Sequence, residues 1–188
     1  MARLNPRRPA AAAVVVLGCV LSGWANAGAG DIVVKLHPVT DKGVDEKAEM
    51  GTATLAEPAG GGVGVTIVVS GLLHGEHYVD FHEGGSCAAG PIDGKTVAAG
   101  AAGGIFLPKG ASVVQSGNFQ AFAKNRVNMN VGSDGTGTIM YFVNGIKRDQ
   151  LAGHTIVIKG GGEEGTRVLE PMVVLHGAKA CGVIPKQS

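Results

Sequence analysis

Residues 71–87 read GLLHGEHYVDFHEGGSC, and within them residues 76–83 alternate with the period of two that is typical of a β-strand. The more apolar face of this strand, which should point into the core, carries His77, Val79 and Phe81. The opposite face carries Glu76, Tyr78, Asp80 and His82. We therefore expect His77 to be a structural histidine bonded to the backbone, and Asp80 and His82 to lie together on the far side of the strand.

Short strands on both sides of this stretch predict an all-β protein. The predicted strands cover residues 31–37, 51–56, 63–69, 76–83, 127–131, 136–143, 154–159 and 172–176. Hairpin turns are expected at residues 59–62 (AGGG) and 133–135 (SDG). Residues 84–110 predict a long irregular loop, a feature that is commonly functional. With no helical pattern in the mature part, we predict a Greek-key β-sandwich or flattened barrel of about eight strands.

The composition supports a folded core and excludes some partners. Of 188 residues, 45% are hydrophobic and 16% are charged, which is enough apolar surface to form a core without disorder. Only 4% are aromatic, so a platform on which nucleic-acid bases stack is not expected. We expect the partner to be a protein or a small ligand and not a nucleic acid, and a homodimer stays open.

Residues 1–27 have the pattern of a signal peptide. Three arginines precede an apolar run over residues 10–21, and Ala25-Asn26-Ala27 is a small-x-small cleavage site. The apolar run is too short to span a membrane. Cleavage leaves a domain over residues 28–188 with 13 Lys and Arg against 15 Asp and Glu, a net charge of −2. We expect a periplasmic or secreted protein, with lipidation at Cys19 as the less favoured alternative.

Two cysteines remain in the mature chain once Cys19 is set aside. Cys87 and Cys181 would lie in an oxidising compartment, where a pair of cysteines is expected to form a disulfide. Such a bridge would close a loop of about 95 residues, which chain-entropy arguments associate with roughly 4–5 kcal/mol of stabilisation.

Four motifs in order along the chain resemble the copper–zinc superoxide dismutase family. Residues 71–87 resemble the family pattern G-L-x-x-G-x-H-G-F-H-x-H-x-x-G-x-C. Residues 103–108 (GGIFLP), 131–138 (VGSDGTGT) and 177–184 (GAKACGVI) resemble its G-G-H-F-D-P, N-A-D-G-T-A-T and R-x-A-C-G-V-I segments. The resemblance covers residues 31–184 and implies the family's barrel and a Cys87–Cys181 disulfide.

The same resemblance implies that most metal ligands are replaced. The four copper-ligand positions, including the one that bridges to zinc, fall on Asp80, His82, Ile105 and Lys159. The arginine that guides superoxide falls on Ala178, and the zinc aspartate is loosely aligned with Asn125. No histidine lies between His82 and His154, where the family places its zinc ligands.

Opposite charges at two of these positions predict an ion pair. Ligands of one metal lie close together, so Asp80 and Lys159 should form a salt bridge, with the ammonium standing where copper would be and His82 beside it. Alternation in residues 155–159 supports this, because Lys159 then points out of the barrel as Asp80 does. The alternative is that Lys159 simply extends into solvent.

Three functions follow from this degenerate copper site. The first is a non-catalytic binding protein on a superoxide-dismutase-like scaffold, with no cofactor. The second is a metal-binding or metal-delivery protein that uses His82 and Asp80, with His74 or His77 as a further ligand and weak copper or zinc binding. The third is a true superoxide dismutase with unusual ligands. A lone imidazole beside a lysine disfavours the third, since copper sites use several imidazoles.

Overall fold

The computed structural model describes residues 30–106, 108–115, 127–160 and 177–186. The predicted signal peptide with Cys19, Asn125 and the predicted strand at residues 172–176 lie outside these ranges. No helix in the described part is long and apolar enough to cross a membrane.

Twelve strands account for most of the described chain. They are β1 (Ile32–Thr40), β2 (Gly43–Val44), β3 (Gly51–Ala56), β4 (Val63–Val69), β5 (Gly75–His82), β6 (Gly90–Ile92), β7 (Lys95–Val97), β8 (Ser112–Gln115), β9 (Val127–Val131), β10 (Gly137–Asn144), β11 (Thr155–Gly160) and β12 (Ala178–Val183). Two short 3-10 helices, Gly100–Ala102 and Arg148–Leu151, lie in the connections.

Eight of these strands form a closed ring, as the sequence predicts. The order around the ring is β1, β3, β4, β10, β9, β5, β11 and β12, with β12 pairing back onto β1. Every pairing in the ring is antiparallel, while β2 and β8 lie beside β1 and β10. The prediction of an all-β, Greek-key flattened barrel is confirmed.

The core is formed by the alternate residues of each strand that point into the barrel. Strand β4 shows the pattern well, because Val63, Val65, Ile67 and Val69 are all buried. Burying one such side chain contributes about 1.5–3 kcal/mol. Val79 and Phe81 of β5 belong to the same core, which confirms the predicted inward face of that strand.

The predicted hairpin between residues 127–131 and 136–143 is present, because β9 and β10 are antiparallel neighbours, although they are paired only where Gly137 lies opposite Val131. Strand β8, which the sequence did not predict, pairs with the far half of β10. Four residues are too few for β8 to show a period in the sequence. Residues 84–110 are also more regular than expected: β6 and β7 form a hairpin across Asp93 and Gly94, both with positive φ, as a tight two-residue turn requires.

A disulfide fastens the segment after β5 to the last strand of the ring. Cys87 and Cys181 are bonded, with their Cα atoms 5.7 Å apart. This confirms the predicted bridge. The separation along the chain is 94 residues, so the bond restricts the unfolded chain strongly.

We predict that the double substitution Cys87→Ala and Cys181→Ala lowers the free energy of unfolding by roughly 4 kcal/mol, because the loop entropy of the unfolded chain is restored. Urea denaturation of the oxidised protein and the variant measures the difference. A loss below about 1 kcal/mol would show that the bond constrains little.

Candidate functional site

Strands β5 and β11 place three ionisable side chains together on the outer face of the barrel. In the antiparallel register, His82 lies opposite Thr155, Asp80 opposite Val157, and Tyr78 opposite Lys159. Residues directly opposite one another share a face, so Asp80, His82 and Lys159 all project from the same side of the sheet. All three are nevertheless buried, with at most 5% of each residue exposed.

The Lys159 ammonium binds both neighbours. It forms a salt bridge with Asp80 Oδ2, and its Nζ lies 3.3 Å from His82 Nε2. The side chains are 7% and 0% exposed for Lys159 and Asp80, so solvent screens the pair very little. The predicted ion pair is confirmed, and the alternative of a solvent-exposed Lys159 is wrong.

His82 is held as a neutral imidazole with an assigned tautomer. Its Nδ1–H donates to the Gly103 carbonyl at 2.8 Å, which leaves the Nε2 lone pair to accept from Lys159. Burial, and after it the Lys159 ammonium, lowers the pKa of His82 below its ordinary 6.5. The imidazole is therefore uncharged at neutral pH.

A covering segment, residues 99–106, explains why outward-facing residues are buried. It is bound to the end of β5 by backbone hydrogen bonds from Glu83 to Gly104, from Gly84 to Ala102 and from Phe106 to Phe81. A Cβ on Gly84 would lie 2.4 Å from the Ala101 carbonyl oxygen, so only glycine permits this close approach. The disulfide lies beneath the same cover, in a second apolar cluster: Val39, Cys87, Ala99, Ala102, Val157, Ala178 and Cys181.

Two of the remaining predicted positions lie beside this group without contributing a polar side chain, and Ala178 is directly opposite Lys159 in the pairing of β11 with β12. Ile105 bridges to His82 through the backbone but exposes 37% of its surface, and Ala178 is buried in the second apolar cluster. His74 is exposed before the start of β5, about 25 Å along the strand from His82. His77 is buried and its Nε2–H donates to the Leu73 carbonyl at 2.8 Å, as expected of a structural histidine.

Sequence reasoning missed two contributors to this face, the Gly103 carbonyl and Asn128. The Gly103 carbonyl fixes the tautomer of His82, and no side chain marks it in the sequence. Glu76 accepts hydrogen bonds from Tyr78 and Asn128, which extends the polar strip along β5 and onto β9. Asn128 lies opposite Tyr78 in the pairing of β5 with β9. It could have been placed on this face only if that pairing had first been predicted.

Comparison with known proteins identifies the family. No protein-family model matches the chain. A copper–zinc superoxide dismutase of Haemophilus parainfluenzae is 31% identical over 183 residues, covering 92% of this chain and 95% of the relative. Copper–zinc superoxide dismutase 2 of Salmonella typhimurium is 30% identical over 179 residues, which cover 95% of this chain and 99% of the relative. The structure of the copper–zinc superoxide dismutase of Brucella abortus superposes with a TM-score of 0.63 at 26% identity. The superposition covers 82% of this chain and 99% of that structure. The chain belongs to the copper–zinc superoxide dismutase family.

The donor atoms of this face do not match the coordination sphere of copper or zinc. Copper sites of this kind use several imidazoles, and zinc takes four ligands, whereas the face offers one imidazole nitrogen, one carboxylate and the Thr155 hydroxyl. The Nε2 lone pair of His82 and Oδ2 of Asp80 are already engaged by Lys159. Within the described ranges, no group of three or more His, Cys, Asp and Glu could hold a metal ion.

We predict that Asp80→Asn and Lys159→Met each destabilise the protein by about 3–5 kcal/mol, because each leaves one buried charge without its partner. The double variant should lose less than either single variant. Urea denaturation of all four proteins gives the coupling energy. Purely additive losses would contradict a buried pair.

The exposed pair Lys35–Glu49 provides a matched control, with its charged atoms 3.0 Å apart and side chains 68% and 41% exposed. Its cycle, Lys35→Met with Glu49→Gln, should give a coupling of only about 0.2–1 kcal/mol. Similar coupling energies in the two double-mutant cycles would show that burial does not strengthen the Asp80–Lys159 interaction.

We predict that stability falls on acidification through the ordinary pKa of His82. The unfolded chain takes up a proton near pH 6.5, while the folded protein resists it because the pKa of His82 is lowered. The stabilisation is therefore complete above pH 6.5 and is lost as the pH falls towards the folded-state pKa. His82 faces the Lys159 ammonium, the Asp80 carboxylate and the Gly103 carbonyl.

Unfolding free energies of the wild type and of His82→Gln between pH 8 and pH 5 test this. The slope for the wild type should exceed that of the variant by up to about 1.4 kcal/mol per pH unit, the value for one proton. Parallel curves of unfolding free energy against pH for the wild type and the variant would mean that His82 takes up a proton equally in the folded and unfolded states.

Proposed function

We propose that this protein is a superoxide-dismutase-like protein of the periplasm or cell exterior that works by binding and not by metal catalysis. The observation that carries the proposal is the Lys159 ammonium, which lies against Asp80 and the Nε2 lone pair of His82. An ammonium has no lone pair to offer a metal, and it repels a second cation. Because the site is buried and shielded from water, the repulsion between the ammonium and a metal ion is stronger there than it would be at the surface.

The other aligned positions support the same proposal. Ile105 has no donor atom with which to join two metals, and its side chain is partly exposed to solvent. Ala178 has no charge with which to guide an anion such as superoxide, and it is buried beside the disulfide. The fold of a family can persist while its site changes, so membership alone does not carry the family's activity to this chain.

The extracytoplasmic location rests on two supports of different kinds. The predicted signal peptide over residues 1–27 is a property of the sequence. The Cys87–Cys181 disulfide is a property of the structure, and such bonds persist in oxidising compartments.

An open cavity beside the disulfide is one place where a small ligand could bind. Its volume of about 600 Å³ lies within the range of ligand sites. Its lining includes Cys87 and Cys181 together with the polar residues Lys35, His37 and Glu46. A lining that mixes apolar and polar groups suits an amphipathic small ligand or a peptide side chain.

The alternative function, metal delivery through His82 and Asp80, requires a rearrangement that the geometry does not favour. Both side chains would have to release Lys159 before either could bind an ion. The released ammonium would then need a new partner or a path to solvent.

We predict that the purified mature protein contains no stoichiometric copper or zinc and does not consume superoxide, even after equilibration with both metals. Elemental analysis after dialysis and a superoxide-consumption assay measure this. The matched variant carries Asp80→His, Ile105→His and Lys159→His, which returns histidine to the three replaced copper-ligand positions and should gain bound copper. Wild-type activity that chelation abolishes would overturn the proposal.

A further inference from the structure

The outer face of the sheet formed by β1, β3, β4 and β10 has almost no charge. We propose that two copies of this chain dock against each other through this face and form a weak, reversible, two-fold symmetric dimer. The proposal goes beyond the proposed function, because it concerns four strands that contribute nothing to the Asp80–Lys159 ion pair.

The strand register places the outward-facing residues of these four strands in three rows, each of which runs across the sheet. The middle row is Val33, Thr54, Thr66 and Met140. The rows on either side of it are Lys35, Thr52, Val68 and Thr138, and Ala56, Gly64 and Phe142. Residues directly opposite one another on paired strands share a face, so the three rows form one continuous surface.

This surface differs from an ordinary one in its charge. About 25–35% of the residues on a soluble surface are charged, which would give about three or four of these eleven. Only Lys35 is charged, and it lies at a corner of the face with its ammonium 3.0 Å from Glu49. Met140, Val33 and Val68 are 63%, 47% and 45% exposed. A large exposed surface of this kind marks an interaction site.

A second copy of the chain is the partner that such a face fits. In a two-fold symmetric dimer the same surface meets itself, so a charged face would set like charges against each other. The centre of the middle row would bring Thr54 and Thr66 of the two copies together. A threonine hydroxyl both donates and accepts hydrogen bonds, so it can pair with an identical group. The face is therefore complementary to itself.

The closed ring makes face-to-face packing the available geometry for these strands. A strand at the edge of a sheet can pair with a strand of another molecule, but each of the four strands already has a neighbour on both sides. Two sheets can instead pack face to face at about 10 Å, with the side chains of one between those of the other. Small side chains such as threonine and valine permit this approach.

The size of the face predicts that the dimer is weak. Four strands about 4.8 Å apart and three rows about 6.8 Å apart give a footprint on the order of 400 Å². Side chains stand up from this flat footprint, so two copies would bury a total of about 1,000 Å², below the 1,200–2,000 Å² of stable interfaces. We therefore expect a dissociation constant of roughly 10–500 µM.

Sedimentation equilibrium of the purified mature protein from about 10 µM to about 1 mM tests the proposal at low salt. The wild type should follow a monomer–dimer equilibrium. Thr66→Lys alone and Thr66→Glu alone should each dimerise at least about tenfold more weakly, because like charges meet near the centre of the face. An equimolar mixture of the two variants should associate at least as tightly as the wild type, because opposite charges then meet.

Leu73→Glu is the matched control, since it adds a charge at a residue that is 61% exposed and lies outside the three rows. It should dimerise like the wild type. Nitrogen–proton correlation NMR of the wild type over the same concentrations locates the contact without any variant, and the shifts should be confined to the three rows and their flanks.

A wild type that stays monomeric at about 1 mM would overturn the proposal. A dimer whose NMR shifts lie on β5, β9 and β11 would also overturn it, as would a mixture of the Thr66 variants that associates no better than either one alone. These outcomes leave the proposed non-catalytic function intact, because none of them measures metal content or superoxide consumption.

Discussion

The buried carboxylate of Asp80 is the constraint on which this face of the barrel depends. A charge that is removed from water needs a partner of opposite sign, and here the partner is the ammonium of Lys159. That ammonium also binds His82, and His82 in turn binds the Gly103 carbonyl of the covering segment. One electrostatic requirement thus connects β5, β11 and residues 99–106, and the Cys87–Cys181 disulfide joins the segment after β5 to β12.

Much of the barrel could be predicted because inward-facing apolar residues alternate with outward-facing ones along its longer strands. The bounds of β3, β4 and β9 match the predicted strands, since alternation in residues 51–56, 63–69 and 127–131 is clear and a glycine-rich turn separates the first two. The alternation failed to predict β8, which is only four residues long. It also failed for β6 and β7, which are three residues each and are stabilised by their turn.

The site was predictable in part, and for a different reason. The Asp80–Lys159 pair follows from two opposite charges at positions where the family resemblance expects ligands of one metal. The burial of the pair does not follow from the sequence, because it depends on contacts across many residues. His82 bonds to a carbonyl 21 residues away, and Cys87 bonds to a partner 94 residues away. Outward-pointing residues on a strand are normally exposed, and only the covering segment makes this strand an exception.

We propose that the Lys159 ammonium stands where other members of the family would hold a copper ion. A crystal structure of the protein grown in the presence of copper, with anomalous data collected at the copper absorption edge, tests it most directly. We expect no anomalous peak beside His82 and clear density for Lys159 in contact with Asp80. A copper peak bound to His82 Nε2, with the Lys159 side chain displaced, would contradict it.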